Sequence, residues 1–335
     1  MSRRFINQLE PGERVEDQVF LIKQKDLRTT NNGGLYIHAV LTDRTGQIPG
    51  RMWQATQKVF EFIPEGGFMR FTGRCENYKG SLQFIIDGVR EAAEGSFDVA
   101  DFMPVTPGNI DEMWRRVRAI LTKEVRHPDV RALCEEFLAD EPLMEKFRKA
   151  PAAIQLHHAY VGGLLEHTLS LLEVALRVIP LYPKLSLDIV LAGLFLHDIG
   201  KTEELGYETN FHYTDEGQLL GHVSLAVMWI DAKIRAIEHR TERPFPPEIR
   251  WALQHIVVSH HGQYEFGALK LPATPEAAAV HYLDNLDAKV NIFLSEIEND
   301  KDPVGHWTNY LPSLGTKILK LDPMNVRTKK TRPAT

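Results

Sequence analysis

Leu191-Ala192-Gly193-Leu194-Phe195-Leu196-His197-Asp198-Ile199-Gly200-Lys201 carries an apolar helical stretch and ends it on an imidazole, a carboxylate and an ammonium. The apolar run, residues 189–196, is far short of the roughly 20 residues that cross a bilayer, so it predicts a helix facing a protein core. On either side, apolar residues recur at helical spacing over residues 111–126, 129–139, 141–149, 164–179, 219–239, 247–260 and 275–298. The chain after residue 95 is therefore expected to be all helical. A polar loop is expected over residues 202–217, and a stiff turn at Pro244-Phe245-Pro246-Pro247.

Upstream the pattern changes. Residues 15–30 and 35–53 are rich in Val, Ile, Leu, Tyr and Thr, and they meet at Asn31-Asn32-Gly33-Gly34, where residues tolerant of positive φ permit a tight hairpin. A second turn at Asp43-Arg44-Thr45-Gly46 divides the second stretch. A short helix is expected over residues 54–62, and strands over residues 68–78 and 81–89 flank Lys79-Gly80. Five short strands with one helix between the third and fourth have the element order of an OB-fold, a small Greek-key barrel that often binds oligonucleotides. The boundary is expected after Glu94-Gly95-Ser96, in a stretch containing Pro104, Pro107 and Gly108.

The 335 residues are 43% hydrophobic and 25% charged, ordinary values for a globular chain of about two domains. Cys75 and Cys134 are the only cysteines, which excludes a disulfide framework and a cysteine-rich zinc module and fits a reducing compartment. The first residues lack the apolar run of a secretory signal, so a cytoplasmic location and no membrane partner are expected. Net charge is −6, yet residues 1–95 balance 13 Lys and Arg against 12 Asp and Glu; the acidity lies downstream. The end is basic again, with Lys317, Lys320, Arg327, Lys329, Lys330 and Arg332 against Asp322, and reads as a solvated tail or one with some affinity for phosphate.

Within the helical half, His167, the pair His197-Asp198, and Asp284 each stand among residues that must face a core. Each by itself is read as a hydrogen-bonded core histidine or a solvated acid. Together they point elsewhere, because a carboxylate buried beside imidazoles without a cation costs several kcal/mol, and a shared metal removes that cost. Imidazole and carboxylate without thiolate suit Mn, Fe, Co, Ni or Zn. Lys201 is either a solvated lysine or, after Gly200, an ammonium that reaches a phosphate oxygen. His157 and His158 could orient a leaving group, donate from behind the ligands, or merely pack. Asp287, three residues after Asp284, could orient a ligand or meet solvent, and it is left outside the ligand set.

The order His, His-Asp and late Asp on helices, with Leu196-His197-Asp198-Ile199-Gly200-Lys201 at its centre, resembles the HD superfamily of metal-dependent phosphohydrolases. His222 in Gly221-His222-Val223 and His260 in Ser259-His260-His261-Gly262 fall where two-metal members carry extra histidines. The resemblance implies two divalent metals bridged by Asp198, with His167, His197, Asp198 and Asp284 on one and Asp198, His222 and His260 on the other. His261 could replace His260, since adjacent helical residues point about 100° apart. Two metals about 3.5–4 Å apart suit in-line displacement at phosphorus.

The barrel-like module, together with His157-His158-Ala159-Tyr160-Val161-Gly162-Gly163-Leu164-Leu165-Glu166-His167-Thr168 and His281-Tyr282-Leu283-Asp284-Asn285-Leu286-Asp287-Ala288-Lys289, resembles the YhaM family of bacterial 3′→5′ exoribonucleases. That resemblance implies a Mn²⁺-dependent enzyme removing nucleoside 5′-monophosphates from single-stranded RNA, with some activity on single-stranded DNA. The fold class that follows is multidomain. An N-terminal all-β OB-fold barrel (1–95) leads through a linker and leading helices (96–150) to an all-α HD domain (151–315) and a basic tail (316–335). In the barrel, Tyr36, Trp53, Phe71, Tyr78 and Phe84 are interleaved with Lys23, Lys25, Arg28, Arg44, Arg51, Arg70, Arg74 and Lys79, a list that mixes core packing with base stacking. Tyr36, Trp53, Arg51 and Arg74 are taken as the nucleic-acid contacts. The alternative function is an HD-type nucleotide or cyclic-dinucleotide phosphohydrolase with a regulatory OB domain; a binding protein without turnover is disfavoured by the complete ligand set. A homo-oligomer is compatible with the sequence.

Overall fold

Alternation builds the first half. In β2 (Leu35–Asp43), Ile37, Ala39 and Leu41 point inward while Tyr36, His38 and Val40 stay partly exposed. The computed structural model describes residues 3–30, 32–78, 80–93, 95–98, 101–154, 158–207, 211–298, 300, 305–312, 314–322 and 324. Most of the basic tail, Lys79 and His157 lie outside the described residues. β1 (Arg14–Thr29), β2, β3 (Gly46–Trp53), β4 (Phe68–Tyr78) and β5 (Ser81–Glu91) close into a barrel in the order β1-β2-β3-β5-β4. β1 serves both neighbours, pairing β4 through its first part and β2 through its second, with the register shifting between Ile22 and Gln24 where the strand passes from one partner to the other. Parallel pairing of Gly50 with Phe84 and Arg51 with Ile85 closes the ring. With α1 (Gln57–Phe62) between β3 and β4, this is the OB-fold.

Phe71 and Phe84 pack on Phe20 at 6.2 and 5.7 Å between ring centres, so these two aromatics belong to the barrel core. The short helix starts later than its sequence pattern predicts. Gln54 is left-handed (φ 54°), and the Thr56 side chain accepts from Val59 N, which caps the helix at that point.

The helices are α2 (Ile110–Lys123), α3 (Pro128–Leu138), α4 (Glu141–Lys149), α5 (Gly163–Val178), α6 (Leu187–Leu196), α7 (Lys201–Glu204), α8 (Asp215–Thr241), α9 (Pro247–Ser259) and α10 (Pro275–Glu298). α6, apolar on every side, is the buried centre, contacted by α3, α5, α9 and α10. α2 to α4 share its core, with Phe147 and Phe137 edge-on to Phe195 at 5.6 and 6.3 Å.

Of the loop expected over residues 202–217, the described residues instead hold regular elements. α7 is followed by β6 (Leu205–Gly206) and β7 (His212–Tyr213), and α8 already begins at Asp215, where the Thr214 hydroxyl accepts from Gly217 N. Phe211 and Tyr207 from this arm pack on a small apolar cluster of Val19, Leu21, Phe102 and Met103, which joins the barrel to the helices.

Asp140 ties α4 to α8. It accepts from Leu143 N at the start of α4 and from Lys233 Nζ at 2.7 Å. The Lys233 hydrogen bond, opposed by burial, holds the Asp140 carboxyl below its usual range. A depressed folded pKa contributes stability that is present above the unfolded pKa, about 3.9, and is lost as pH falls through the folded one. Asp140→Ala is therefore expected to lower unfolding stability by about 1–2 kcal/mol at pH 7. The gap to the parent protein should narrow below about pH 4. Urea titrations at both pH values measure it; an unchanged gap would assign the whole effect to the cap.

Candidate metal centre

Each imbedded histidine is aimed by what holds its other nitrogen. His197 caps the end of α6 and places Nδ1 2.8 Å from the Leu194 carbonyl; His260 caps the end of α9 and does the same with Val257 at 2.8 Å. A carbonyl only accepts, so Nδ1 carries the proton and Nε2 turns inward with a free lone pair. His222 Nδ1 lies 2.9 Å from Glu204 Oε2, and its backbone N–H donates to Glu204 Oε1 at 3.0 Å. His167, on α5, donates from Nδ1 to Asp287 Oδ2 of α10 at 2.8 Å. Carboxylates behind imidazoles fix ring orientation and raise ligand basicity.

The four Nε2 atoms converge on Asp198. Its Oδ2 lies 3.4 Å from His197 and 3.9 Å from His167, while its Oδ1 lies 3.5 Å from His222 and 3.6 Å from His260. Asp284 Oδ1 stands on the first side, 3.2 Å from His167 Nε2 and 3.9 Å from that of His197. The two oxygens of one carboxylate thus face two groups of side chains, His167, His197 and Asp284 on one side and His222 and His260 on the other. Close packing sets the second side: a Cβ on Gly200 would sit 2.1 Å from the His222 carbonyl oxygen, and Gly221 breaks α8 with φ 69° just before His222.

Among the described residues, His197 Nε2, His222 Nε2, His260 Nε2, Asp198 Oδ1 and His261 Nδ1 are buried without a hydrogen-bond partner. An orphaned buried polar atom costs about 1–3 kcal/mol, and so many at one point fit a bound cation. The charges agree. Burial should raise Asp198, but the Lys201 ammonium, 2.6 Å from Oδ2, and His197 hold it well below the usual carboxylate range. Asp284 is likewise depressed against its burial, by His167 and His197. Burial should depress His167, yet its bonds to Asp284 and Asp287 raise it to about 9. Two carboxylates thus hold a positive charge where a metal would supply one. Burial and then the neighbouring His260 and His222 push His261 down to about 3, so it is neutral.

His222, His260 and His261 offer nitrogens within 4.8 Å of one another, as do the ligand atoms of His167, His197 and Asp198. His260 and His261 are therefore not exclusive alternatives; both face inward. The centre opens on a cavity of about 310 Å³ that Lys201 and His281 also line.

A family model described as HD domain matches residues 164–289, a span that holds all these side chains. The curated 3′-5′ exoribonuclease YhaM of Geobacillus sp. (strain WCH70) is 35% identical over 307 residues, 91% of this chain and 91% of the relative. The chain belongs to the YhaM family. Its solved neighbours include a replication protein A domain of Methanococcus maripaludis (19% identity, 27% of this chain and 93% of that chain, TM-score 0.23). Another is PriB of Ralstonia solanacearum (16% identity, 24% and 97%, TM-score 0.22).

In this YhaM-family chain, His158 does not merely pack: Nε2 lies 3.1 Å from Asp287 and Nδ1 2.7 Å from the Tyr160 hydroxyl. Asp287 does not meet solvent; it also accepts from Ser170 at 2.6 Å. Glu204, expected within a loop, anchors His222; its only sequence signal is an acid three residues beyond Lys201. On the barrel, Tyr36 and Trp53 are register partners with rings 5.0 Å apart, and Arg51 lies over Tyr78 at 5.2 Å. Arg74 differs, since Glu76 and Asp87 pair it at 3.0 and 3.1 Å and occupy its charge. No described helix is long and apolar enough to cross a membrane.

Proposed function

We propose that this YhaM-family chain is a cytoplasmic 3′→5′ exoribonuclease that shortens single-stranded RNA, and single-stranded DNA secondarily, releasing nucleoside 5′-monophosphates. Two Mn²⁺ ions would be held by His167, His197, Asp198 and Asp284 and by Asp198, His222 and His260, with His261 beside the second group. The two-sided presentation of Asp198 to converging Nε2 atoms carries this reading. When bound, such cations supply Lewis acidity at the phosphoryl group and an acidified water near neutral pH.

The chain's own groups do the rest. Asp198, held ionised, serves as a ligand and carries no proton. Lys201 lines the same cavity and gives a point charge for a non-bridging phosphate oxygen. Hydrolysis breaks the bond between phosphorus and O3′ of the penultimate nucleotide, and the oxygen of water joins the released 5′-phosphate. The barrel (1–95) holds the strand while the helical domain (151–315, after the leading helices of 96–150) cuts.

Incubation of the Mn²⁺-loaded protein with 5′-labelled RNA tests this: a ladder descending by single nucleotides is expected. Intact RNA alongside hydrolysed free nucleotide or cyclic dinucleotide would replace it with a nucleotide phosphohydrolase. A stacked base contributes about 1–3 kcal/mol. Trp53→Ala is accordingly expected to weaken retention of a long RNA by about 5- to 150-fold, and more than it slows cleavage of a trinucleotide. Equal effects on both would remove the barrel from strand binding.

A further inference from the structure

The cavity beside the metal centre is also lined by side chains outside the proposed ligand set. α10 turns Asn285, Ala288, Lys289 and Ile292 toward it at one-turn spacing, and the segment after α9 contributes Gln263 and Phe266. Phe266 is 66% exposed, an aromatic ring left in solvent at the rim of a polar cleft. The side chains of Gln263, Asn285 and Lys289 form no hydrogen bond or ion pair among the described residues, unlike Arg74, Arg116 or Lys233 elsewhere. The cavity therefore combines an aromatic platform, a small apolar wall and unengaged neutral amides beside the site of cleavage.

We propose that Phe266, Gln263 and the α10 face of Asn285, Ala288, Lys289 and Ile292 form the subsite that holds the 3′-terminal nucleotide of RNA, with Phe266 as the base platform. The inference rests on the exoribonuclease reading and adds the groups that seat its substrate. Stacking on a single ring accepts any base, which suits an enzyme that removes nucleotides in succession. An amide both donates and accepts, as the adjacent 2′- and 3′-hydroxyls of a terminal ribose require, and it adds no negative charge beside Asp198 and Asp284. Lys289 offers a point charge to a backbone phosphate entering the cleft. At about 310 Å³ the cavity lies in the range of small-ligand sites.

The test compares a short RNA with bis(p-nitrophenyl) phosphate, a phosphodiester without base or ribose. Phe266→Ala should raise KM for the RNA so that its kcat/KM falls about 5- to 150-fold further than that of the plain ester, and Phe266→Trp should restore the ratio. Asn285→Ala should reduce the preference for a ribose over a deoxyribose at the 3′ end. Equal losses on both esters, or an unchanged RNA KM in Phe266→Ala, would overturn the subsite. Failure of the unaltered protein to shorten RNA while it turns over the plain ester would overturn the exoribonuclease reading, and the subsite with it, before any variant is compared.

Discussion

Asp198→Asn is expected to slow RNA hydrolysis by at least about 10³-fold while RNA is still retained. Losing a group that merely orients a ligand costs about 10- to 100-fold, and Asp198 presents its two oxygens to both proposed ligand groups at once, so its removal should exceed that range. Asparagine keeps the shape and one oxygen but removes the charge that Lys201 and the surrounding imidazoles hold in place. Tyr36, Trp53 and Arg51 stand on the barrel and take no part in this cavity, so gel retention of a long RNA should change little. The measurement is single-turnover decay of 5′-labelled RNA together with metal content by elemental analysis. Turnover near that of the parent, or full metal content, would dismiss the shared carboxylate as the organising ligand.

What was legible in the sequence followed patterns that burial imposes locally. Ile37, Ala39 and Leu41 alternate because one face of β2 is core, and α6 reads as helix because its apolar run is continuous. The start of α8 was not legible. Asp215 to Gln218 carries no apolar rhythm; the periodic stretch begins at Leu219, and Gly221 breaks the helix just after that start. Two-residue strands such as β6 and β7 are too short to show any alternation. Among the site residues, the His-Asp pair declares itself through its apolar surroundings. Asp287 and Glu204 do not, because a carboxylate behind an imidazole has the same local sequence as one in water. Only the closure of α10 on α5 and of α7 on α8 distinguishes them. For His260 and His261, helical spacing does not choose between them: His260 caps α9 with helical dihedrals (φ −60°, ψ −29°), yet ligand nitrogens of both histidines lie within 4.8 Å of that of His222.

That closure makes Asp287 the most informative residue outside the ligand set. It accepts from His167, His158 and Ser170 at 2.8, 3.1 and 2.6 Å, and these bonds, against burial, hold its carboxyl well below the usual range. In Asp287→Asn the ring of His167 loses the charge that orients it, and an amide nitrogen turned toward Nδ1 would set donor against donor. Metal affinity is expected to fall by about 10- to 100-fold. The Mn²⁺ concentration for half-maximal activity should rise by that factor, with most of the rate returning at saturation, because every proposed ligand is still present. Asp198→Asn should show no such return. The contrast separates a group that positions a ligand from one that is a ligand: an Asp287→Asn protein whose lost rate no amount of Mn²⁺ restores would move Asp287 out of the positioning role, and an unshifted Mn²⁺ requirement would leave the His167 contact without consequence for metal binding.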